Sequence, residues 1–359
     1  MKTIITVTGI RPDFIRMSEI FKKLDKNFNH ILVHTGQHYD DHLSKIFFKE
    51  FKIRKPDYNL NIGNKKNEHY HQLSILSVKF IDLLKKKKIN PNLIIFLGDS
   101  NSVGLSFFLK KEGYKIAHIE AGMRSYDDRM LEEINRKVCD HCSDLLFVYH
   151  QDYKKNLLKE NINKNKIFVV GNTIVEPSRF FLNNIKNLNY SLDFILIDIH
   201  RPENFKYKER LLNIFKFINF CKLKFNKRAI FLKFGRTMDY IKKYKINTQD
   251  INFIPLMGYY DFIKLQKESF FIISDSGTAQ EESALIQKPV IVPRDFTERP
   301  QSYNNNCSFR LNINNKNDSW NNSINWINKY INHELNINTS WLGNGKTSSK
   351  IIDIISKRI

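Results

Sequence analysis

Short apolar segments alternate with longer amphipathic segments from one end of the chain to the other. In the first half the apolar segments predict six strands, and the segments between them have the three- and four-residue spacing of helices. The predicted strands are Thr3–Thr8, His30–His34, Leu93–Leu97, Lys115–Ile119, Leu145–Val148 and Lys166–Val170, and the clearest helices are Phe14–Leu24, His71–Leu84 and Glu132–Cys142. This alternation favours a parallel sheet with helices on both faces.

The pattern pauses near Gly171 and then restarts. The second set of predicted strands is Phe194–Asp198, Ala229–Leu232, Asn252–Leu256, Phe270–Ser274 and Pro289–Val292. A length of 359 residues suits two domains. We therefore predict an α/β fold of two doubly wound, Rossmann-like domains, residues 1–172 and residues 173–346, with a ligand cleft between them. Residues 347–359 have helical periodicity and are expected to pack back on the first domain.

Composition and charge indicate which kinds of binding partner are expected. The formal charge of +21 would suit a nucleic-acid ligand, but the lysines are spread along the whole chain and no basic patch is interleaved with aromatic residues. We expect no nucleic-acid partner, and a small anionic substrate fits the charge equally well. No apolar run approaches the roughly 18 residues that span a bilayer. The start of the chain has no signal-peptide pattern, so we expect a cytoplasmic protein without a membrane partner.

The four cysteines do not form a disulfide framework in a chain of this length. Cys139 and Cys142 have C-x-x-C spacing, but no second pair completes a zinc site. They lie in a predicted helix, where residues three apart share a face, so we expect two buried thiols. No metal site is predicted.

Acidic residues follow two predicted strands of the first half. Glu120 comes directly after Lys115–Ile119, and Asp99 follows Leu93–Leu97. The carboxyl ends of parallel strands open into the ligand crevice of such a sheet, so these carboxylates are candidates for chemistry. The first strand leads into Gly9-Ile10-Arg11-Pro12-Asp13, which is not a G-x-G-x-x-G dinucleotide turn, so no nicotinamide cofactor is predicted.

The second half carries groups that suit a nucleoside diphosphate. His200 follows the strand Phe194–Asp198 and is a candidate acid or base. The strand Phe270–Ser274 turns through Ser276, Gly277 and Thr278 directly into a helix, whose free backbone N–H groups favour an anion. Glu281 and Glu282 lie one turn further on, where a carboxylate can bind ribose hydroxyls. Arg294 and Arg299 add positive charge after the next strand.

These motifs, in this order, resemble the non-hydrolysing UDP-N-acetylglucosamine 2-epimerase family. The similarity runs from Gly9-Ile10-Arg11-Pro12 to Glu298-Arg299-Pro300, essentially the whole chain. The resemblance implies a glycosyltransferase-B-type fold, a UDP-sugar in the interdomain cleft, and no organic cofactor or metal. It also implies inversion at C2 by anti elimination of UDP to a 2-acetamidoglucal, followed by re-addition. A homodimer is expected.

The resemblance also assigns residues. The implied catalytic group is Asp99, Glu120, Glu132 and His200. The implied substrate-binding residues are Arg11, Arg16, Gln37, His38, Arg124, Arg136, Arg201, Phe262, Ser276, Gly277, Thr278, Gln280, Glu282 and Arg299. Among these, Arg11, Ser276, Gly277 and Glu282 would hold the diphosphate and ribose, Arg299 the sugar or phosphate, and Phe262 would pack near the uracil.

Several positions depart from the family pattern and leave the sugar open. Arg16 stands where a lysine is common, Leu232–Thr237 replaces a histidine-containing segment, and Gln301 replaces a glutamate. The alternatives are a 2-epimerase of a 6-deoxy or 2,3-diacetamido UDP-hexose, or a hydrolysing epimerase that releases N-acetylmannosamine and UDP. A glycosyltransferase would not need three acids in the first domain, and a nucleotide-sugar sensor would leave those acids without a use.

Overall fold

The computed structural model describes residues 1–36, 41–63, 68–185 and 192–359, and only the backbone of residues 41–45. The chain divides into two compact units. Unit 1 comprises Met1–Pro177 and Leu342–Ile359, and unit 2 comprises Ser178–Trp341.

The described residues of unit 1 form a seven-stranded parallel sheet. Its strands are β1 (Thr3–Thr8), β2 (Asn29–His34), β3 (Tyr58–Asn59), β4 (Leu93–Leu97), β5 (Ile116–Ile119), β6 (Leu145–Val148) and β7 (Ile167–Val169). Their order across the sheet is β3-β2-β1-β4-β5-β6-β7. In register, Ile5 of β1 lies opposite Ile31 of β2 on one side and Ile94 of β4 on the other.

Helices separate these strands, as expected for parallel pairing. They are α1 (Arg11–Asn27), α2 (Asp41–Glu50), α3 (His69–Lys86), α4 (Leu105–Lys111), α5 (Leu131–Cys142) and α6 (Gln151–Lys159). The helix α7 (Val175–Asn184) crosses the boundary between the units. A core of buried aliphatic and aromatic side chains, among them Ile94, Phe96, Leu76 and Phe80, joins the sheet to α3. Cys139 of α5 is buried, Cys142 is half-buried, and both are free thiols.

Unit 2 repeats the arrangement with a six-stranded parallel sheet among its described residues. The strands are β8 (Phe194–Asp198), β9 (Arg228–Leu232), β10 (Ile251–Ile254), β11 (Phe271–Ser274), β12 (Val290–Val292) and β13 (Phe309–Arg310), in the order β10-β9-β8-β11-β12-β13. The helices are α8 (Pro202–Phe205), α9 (Lys208–Phe225), α10 (Gly235–Lys243), α11 (Tyr259–Glu268), α12 (Gly277–Ile286), α13 (Pro300–Asn304) and α14 (Asp318–Ile331). Phe217 of α9 and Trp320 of α14 pack edge to face in the core, with ring centroids 5.2 Å apart.

The last helix, α15 (Thr347–Arg358), belongs to unit 1 and packs against α1. The hydroxyl of Thr347 donates to the carbonyl oxygens of Val170 and Asn172, at 3.3 Å each. Gly343 lies so close to Gly171 that a Cβ on Gly343 would come within 3.0 Å of the Gly171 Cα. The end of the chain is therefore anchored to the segment that follows β7.

The strand order reverses at one point in each sheet, between β1 and β4 in unit 1 and between β8 and β11 in unit 2. Ligands of open α/β sheets bind beyond the carboxyl ends of the strands at such a point.

The predicted strands agree with the observed ones within about two residues at each end, apart from the two-residue edge strands β3 and β13, which are too short to give a periodic signal. In the part of the chain that is described, no helix is both long enough and apolar enough to cross a membrane.

Candidate active site

Glu120 follows directly on β5 and has an unusual backbone conformation. Its φ is +73°, in the left-handed region, where a residue other than glycine carries strain of roughly 1–3 kcal/mol. The residue is buried, and one carboxylate oxygen lies 3.3 Å from Nη1 of Arg16 and accepts a hydrogen bond from the Tyr149 hydroxyl at 3.4 Å. Such strain persists only where neighbours over-determine the conformation, so this carboxylate is held at a defined place on the sheet edge.

Asp99 follows the neighbouring strand β4, one residue after Gly98. Its carboxylate pairs with Nη2 of Arg136, and 22% of the Asp99 side chain is exposed. The Arg136 side chain is fully buried and also donates to Glu133 at 2.8 Å. Asp99 is therefore both ion-paired and open to a ligand.

A third carboxyl group, Asp13, lies in the same neighbourhood. It is buried at the start of α1, where Oδ2 accepts hydrogen bonds from the backbone N–H groups of Gly9 at 2.7 Å and Ile10 at 3.1 Å. Burial raises the pKa of Asp13 to about 7; the two backbone bonds lower it, and the charges of Asp99 and Glu120 raise it further. From the sequence alone, Asp13 is only an acid in the first turn of a helix. The structure shows that it lies near the carboxylates of Asp99 and Glu120.

A buried histidine links the loops that carry Asp99 and Glu120. The Nδ1 atom of His118 lies 2.7 Å from Asp140 Oδ1, and Nε2 lies 2.8 Å from the carbonyl oxygen of Gly98. Both ring nitrogens face acceptors, so both carry protons and the ring is an imidazolium. Burial lowers the pKa of His118, but Cys139 and Asp140 raise it well above the usual value.

The other oxygen of Asp140 braces the Glu120 loop. It accepts a hydrogen bond from the backbone N–H of Gly122 at 3.0 Å and lies 2.8 Å from Nη1 of Arg124. Arg124 also makes a two-pronged contact with Glu160, with both distances 2.7 Å. The Arg124 side chain is fully buried. The structure thus places Arg124 in the brace beneath the loop, and its substrate-binding role stays a prediction.

The remaining predicted residues of unit 1 lie at helix starts or outside the described residues. Glu132 is half-buried in the first turn of α5, and Arg11 is half-buried at the start of α1. Gln37 and His38 lie outside the residues that the structure describes.

In unit 2, His200 follows β8 and is held by two carboxylates, Asp198 at the end of β8 and Asp275 directly after β11. Its Nδ1 lies 2.9 Å from Asp198 Oδ1 and 3.4 Å from Asp275 Oδ1, and 31% of its side chain is exposed. Desolvation lowers the pKa of His200, while the charges of Asp198 and Asp275 outweigh it and raise the pKa above the usual value. The two carboxylates therefore favour the imidazolium form of His200.

Asp275 organises the backbone of the His200 loop. Its oxygens accept hydrogen bonds from the N–H groups of His200 at 3.0 and 3.2 Å, Arg201 at 3.0 Å and the Asn204 amide at 2.9 Å. One atom each of Asp198, His200 and Asp275 lie within 4.8 Å of one another, close enough for a cation. Because both Asp275 oxygens already serve these donors, the group fits an oriented histidine better than a metal centre.

The predicted phosphate turn is the N-terminus of α12. Ser276 is the N-cap, and its hydroxyl accepts from the N–H of Ala279 at 3.5 Å. Gly277 is the first residue of the helix, and Thr278, the second, is half-buried. The N–H groups of this first turn lack intrahelical acceptors and favour an anion.

Buried ion pairs surround this turn. Arg299 donates to Glu281 at 2.8 Å and pairs with Glu298, which also accepts from Arg294 at 3.0 Å. A Cβ on Gly277 would overlap Nη1 of Arg299. Glycine therefore lets the Arg299 guanidinium lie directly against the start of α12.

The other predicted residues of unit 2 lie on the same or adjacent elements. Glu282 is buried and accepts from the Gln266 amide at 3.1 Å, and Gln280 is fully buried. Arg201 lies 3.8 Å from Glu298, and Phe262 is half-buried in the first turn of α11. Contacts to UDP remain predictions for all four.

The model of the UDP-N-acetylglucosamine 2-epimerase family matches residues 22–356 of this chain. The chain belongs to this family. It is 35% identical over 373 residues to the UDP-N-acetylglucosamine 2-epimerase of Methanocaldococcus jannaschii, with 98% of each chain covered. A crystal structure of that archaeal enzyme, in complex with UDP-GlcNAc and UDP, matches at a TM-score of 0.87 and 36% identity, covering 99% of this chain and all of the other.

A second relative acts on a different sugar. The UDP-2,3-diacetamido-2,3-dideoxy-D-glucuronate 2-epimerase of Pseudomonas aeruginosa is 34% identical over 304 residues, covering 82% of this chain and 84% of its own. The family resemblance and the fold of two Rossmann-like units of glycosyltransferase-B type are thus confirmed.

Sequence reasoning missed the acids that hold the rings of His118 and His200 in place. Asp140 lies 22 positions from His118, and Asp275 lies 75 positions from His200. Only Asp198, two residues before His200, carried a local signal, because a carboxylate that ends a strand can reach the side chain of a loop just after it.

Proposed function

We propose that this protein is a non-hydrolysing UDP-N-acetylglucosamine 2-epimerase, which interconverts UDP-N-acetylglucosamine and UDP-N-acetylmannosamine. The observation that carries the proposal is the pair of carboxylates Asp99 and Glu120, which end adjacent strands and each lie against a buried arginine. Family membership supports the same reaction.

Removal of the C2 proton is the difficult step, because the sugar does not activate it. A desolvated carboxylate or a neutral imidazole is a suitable base. Glu120 is buried, Asp99 is partly exposed, and Asp13 has a pKa of about 7 and so can hold a proton near neutrality. We propose that Asp99, Glu120 and Glu132 supply the acid and base groups for C2, with Asp13 as a proton-holding neighbour.

Departure of UDP is the second requirement, because negative charge accumulates on its β-phosphate. The N-terminus of α12 with Arg299 suits that charge, and the imidazolium form of His200 can donate to it. We propose that Ser276, Gly277, Thr278, Gln280 and Arg201 bind the diphosphate, that Glu282 binds the ribose, and that Phe262 packs near the uracil. Arg11, Gln37 and His38 are proposed as further substrate contacts.

The chemistry balances without an external redox partner. A base takes the C2 proton while the C1–O bond breaks and UDP leaves with the bonding electrons, which gives the 2-acetamidoglucal. A proton then returns to the opposite face of C2, and the β-phosphate oxygen of UDP forms the C1–O bond again. No organic cofactor or metal has a step in this scheme.

One alternative changes the sugar and keeps the chemistry. The 34% identity to an epimerase of a 2,3-diacetamido uronate supports a modified UDP-N-acetylhexosamine as substrate. Both substrates would use the same acids of the proposed site, so only a direct comparison of the two substrates can distinguish the two reactions.

The test is an NMR time course with nicotinamide-free enzyme and either UDP-N-acetylglucosamine or the 2,3-diacetamido sugar nucleotide. We expect the two UDP-N-acetylhexosamine epimers to equilibrate with little free sugar. Stoichiometric N-acetylmannosamine and UDP would establish the hydrolysing reaction instead. Turnover of the diacetamido substrate alone would establish the second sugar, and UDP release that requires an added acceptor would establish a glycosyltransferase.

We also propose a homodimer, cytoplasmic location and a role in surface polysaccharide biosynthesis. Apolar side chains are exposed on two helices in contact, α3 with Tyr70 and Val78 and α4 with Phe107 and Phe108, as at many interfaces. UDP-activated sugars are donors for glycosyl transfer, which supports the biosynthetic role. Light scattering would test the dimer, and a monomer at micromolar concentration would contradict it.

A further inference from the structure

A chain of hydrogen bonds runs from the start of α12 to the ring of His200. The backbone N–H of Ser276 donates to the Ser274 hydroxyl at 3.0 Å, and that hydroxyl donates to Asp198 Oδ2 at 2.9 Å. The other oxygen, Asp198 Oδ1, lies 2.9 Å from His200 Nδ1. Ser274 and Asp198 are both buried, and they lie opposite each other in register on β11 and β8.

This geometry selects one state of the imidazole. Asp198 is an acceptor, because Ser274 occupies its second oxygen as a donor, so Nδ1 must carry the proton. Among the described residues, Nε2 has no hydrogen-bond partner, and a third of the His200 side chain is exposed. Nε2 is therefore the nitrogen available to a ligand.

The remaining neighbours keep the ring in this orientation. Phe234, which lies in the segment Leu232–Thr237 that departs from the family pattern, packs against the ring with centroids 4.7 Å apart at 34°. The other charged groups that act on the ring are Asp275, 3.4 Å from Nδ1 but engaged with the backbone N–H of His200, and Arg201. Only Asp198 thus combines a free lone pair, charge and direct contact with Nδ1.

We propose that Asp198, oriented by Ser274, is the positioning residue that holds His200 in its Nδ1–H state, so that Nε2 exchanges the proton with the substrate. This inference rests on the proposed function for the identity of the substrate, whereas the state of the ring is a property of the free protein. Asp275 instead positions the loop backbone. The same series of hydrogen bonds connects the His200 ring to the first turn of α12, which is proposed to bind phosphate.

The test is long-range proton–nitrogen NMR of the protein labelled with ¹⁵N-histidine, with the His200 signal assigned from a His200→Gln variant. In the wild-type protein we expect a protonated Nδ1 and a titrating Nε2. In Asp198→Asn the charge is lost, and the titration midpoint of His200 is expected to move to lower pH by roughly one unit or more. A merely structural role for Asp198 would not move that midpoint.

Kinetics supply the second readout. Asp198→Asn should lower kcat by roughly 10- to 100-fold with little change in KM, and shift the matching limb of the pH–rate profile in the same direction. Ser274→Ala keeps the Asp198 charge but removes the hydroxyl that orients it, so it should lower kcat less. It also keeps the proposal testable if Asp198→Asn does not fold.

The matched control is Asp152→Asn. Asp152 lies 3.1 Å from Nδ1 of His150, a half-buried pair outside the proposed site. This control should leave both the His200 signal and kcat unchanged.

The outcomes separate this inference from the proposed function. An Nε2–H state in the wild-type protein, or an unchanged His200 midpoint in Asp198→Asn, overturns the inference even if the protein is an active epimerase. The expected NMR result in a protein without epimerase activity supports the positioning of His200 and overturns the proposed function.

Discussion

In unit 1 the loops after β1, β4 and β5 carry or hold carboxyl groups, whereas in unit 2 the loops after β8 and β11 carry a histidine and the N-terminus of α12. The loops after β1 and β4 and those after β8 and β11 flank the point where the strand order reverses, and β5 is the next strand after β4. The surroundings differ as well. Asp99 and Glu120 of unit 1 each lie against a different buried arginine, while Arg299 and Arg294 of unit 2 share Glu298.

The comparison shows that the topology supplies a place for a ligand and that the side chains decide its chemistry. Burial raises the pKa of Asp13 to about 7, so this carboxyl group can hold a proton near neutral pH. A helix N-terminus with arginines attracts an anion instead. From this difference we derive a division of work, with proton transfer at C2 assigned to groups of unit 1, and diphosphate binding and proton donation to the departing phosphate assigned to groups of unit 2.

The largest expected effect is on turnover, from neutralising the acids of unit 1. Asp99→Asn and Glu120→Gln should each lower kcat by roughly two to four orders of magnitude, the range for losing a positioned acid or base. UDP affinity by calorimetry should stay close to that of the wild type. The exposed control Glu112→Gln should behave as wild type. Near-wild-type turnover in both variants would contradict the assignment, and a large loss of UDP affinity would break the division of work.

The second expected effect is a loss of UDP affinity when a methyl group is added at Gly277 of unit 2. In Gly277→Ala the new Cβ would clash with Arg299, so we expect a roughly 10- to 100-fold weaker UDP complex, the equivalent of a lost charge-assisted hydrogen bond. Gly235→Ala is the matched control, because it also lies at a helix start and its Cβ would meet no atom within 4 Å. Equal UDP affinity in both variants would show that the anion binds elsewhere.

A third effect is on the pH dependence of stability, through Asp13. Its pKa is raised from 3.8 to about 7 in the folded state, so its contribution to stability is fully present below pH 3.8 and is lost as the pH rises through about 7. One proton corresponds to a slope of at most about 1.4 kcal/mol per pH unit. Between pH 5 and pH 8, urea unfolding of the wild type should therefore lose more stability than that of Asp13→Asn. The exposed control Asp353→Asn should follow the wild type, and parallel curves for all three proteins would contradict the raised pKa.

The smallest expected effect is that of a chelator. The oxygens of Asp275 are occupied by backbone and amide donors, so the group of Asp198, His200 and Asp275 is expected to work without a cation. Dialysis against EDTA should leave kcat unchanged. A loss of activity that zinc or magnesium restores would make this group a metal site.

The sequence predicts those features of the fold and site that depend on neighbouring residues. Buried strands such as Leu93–Leu97 are continuous apolar runs, and the polar residue that ends each run lies at the edge of the sheet. Contacts between distant positions could not be predicted in this way. The family resemblance assigns Arg124 to the substrate, and the sequence gives no sign of its partners. Asp140 in α5 and Glu160 at the C-cap of α6 lie 16 and 36 positions away. Asp13 likewise has a local role in the sequence, and only folding brings it near Asp99.

The central claim is elimination at C2, and the fate of the C2 proton tests it most directly. Nicotinamide-free enzyme is incubated with UDP-N-acetylglucosamine in D₂O, and the sugar H2 signal is followed by proton NMR. We expect deuterium to enter C2 as the two epimers equilibrate, and to enter far more slowly with Asp99→Asn or Glu120→Gln. Epimerisation that retains the original proton at C2 would contradict the account.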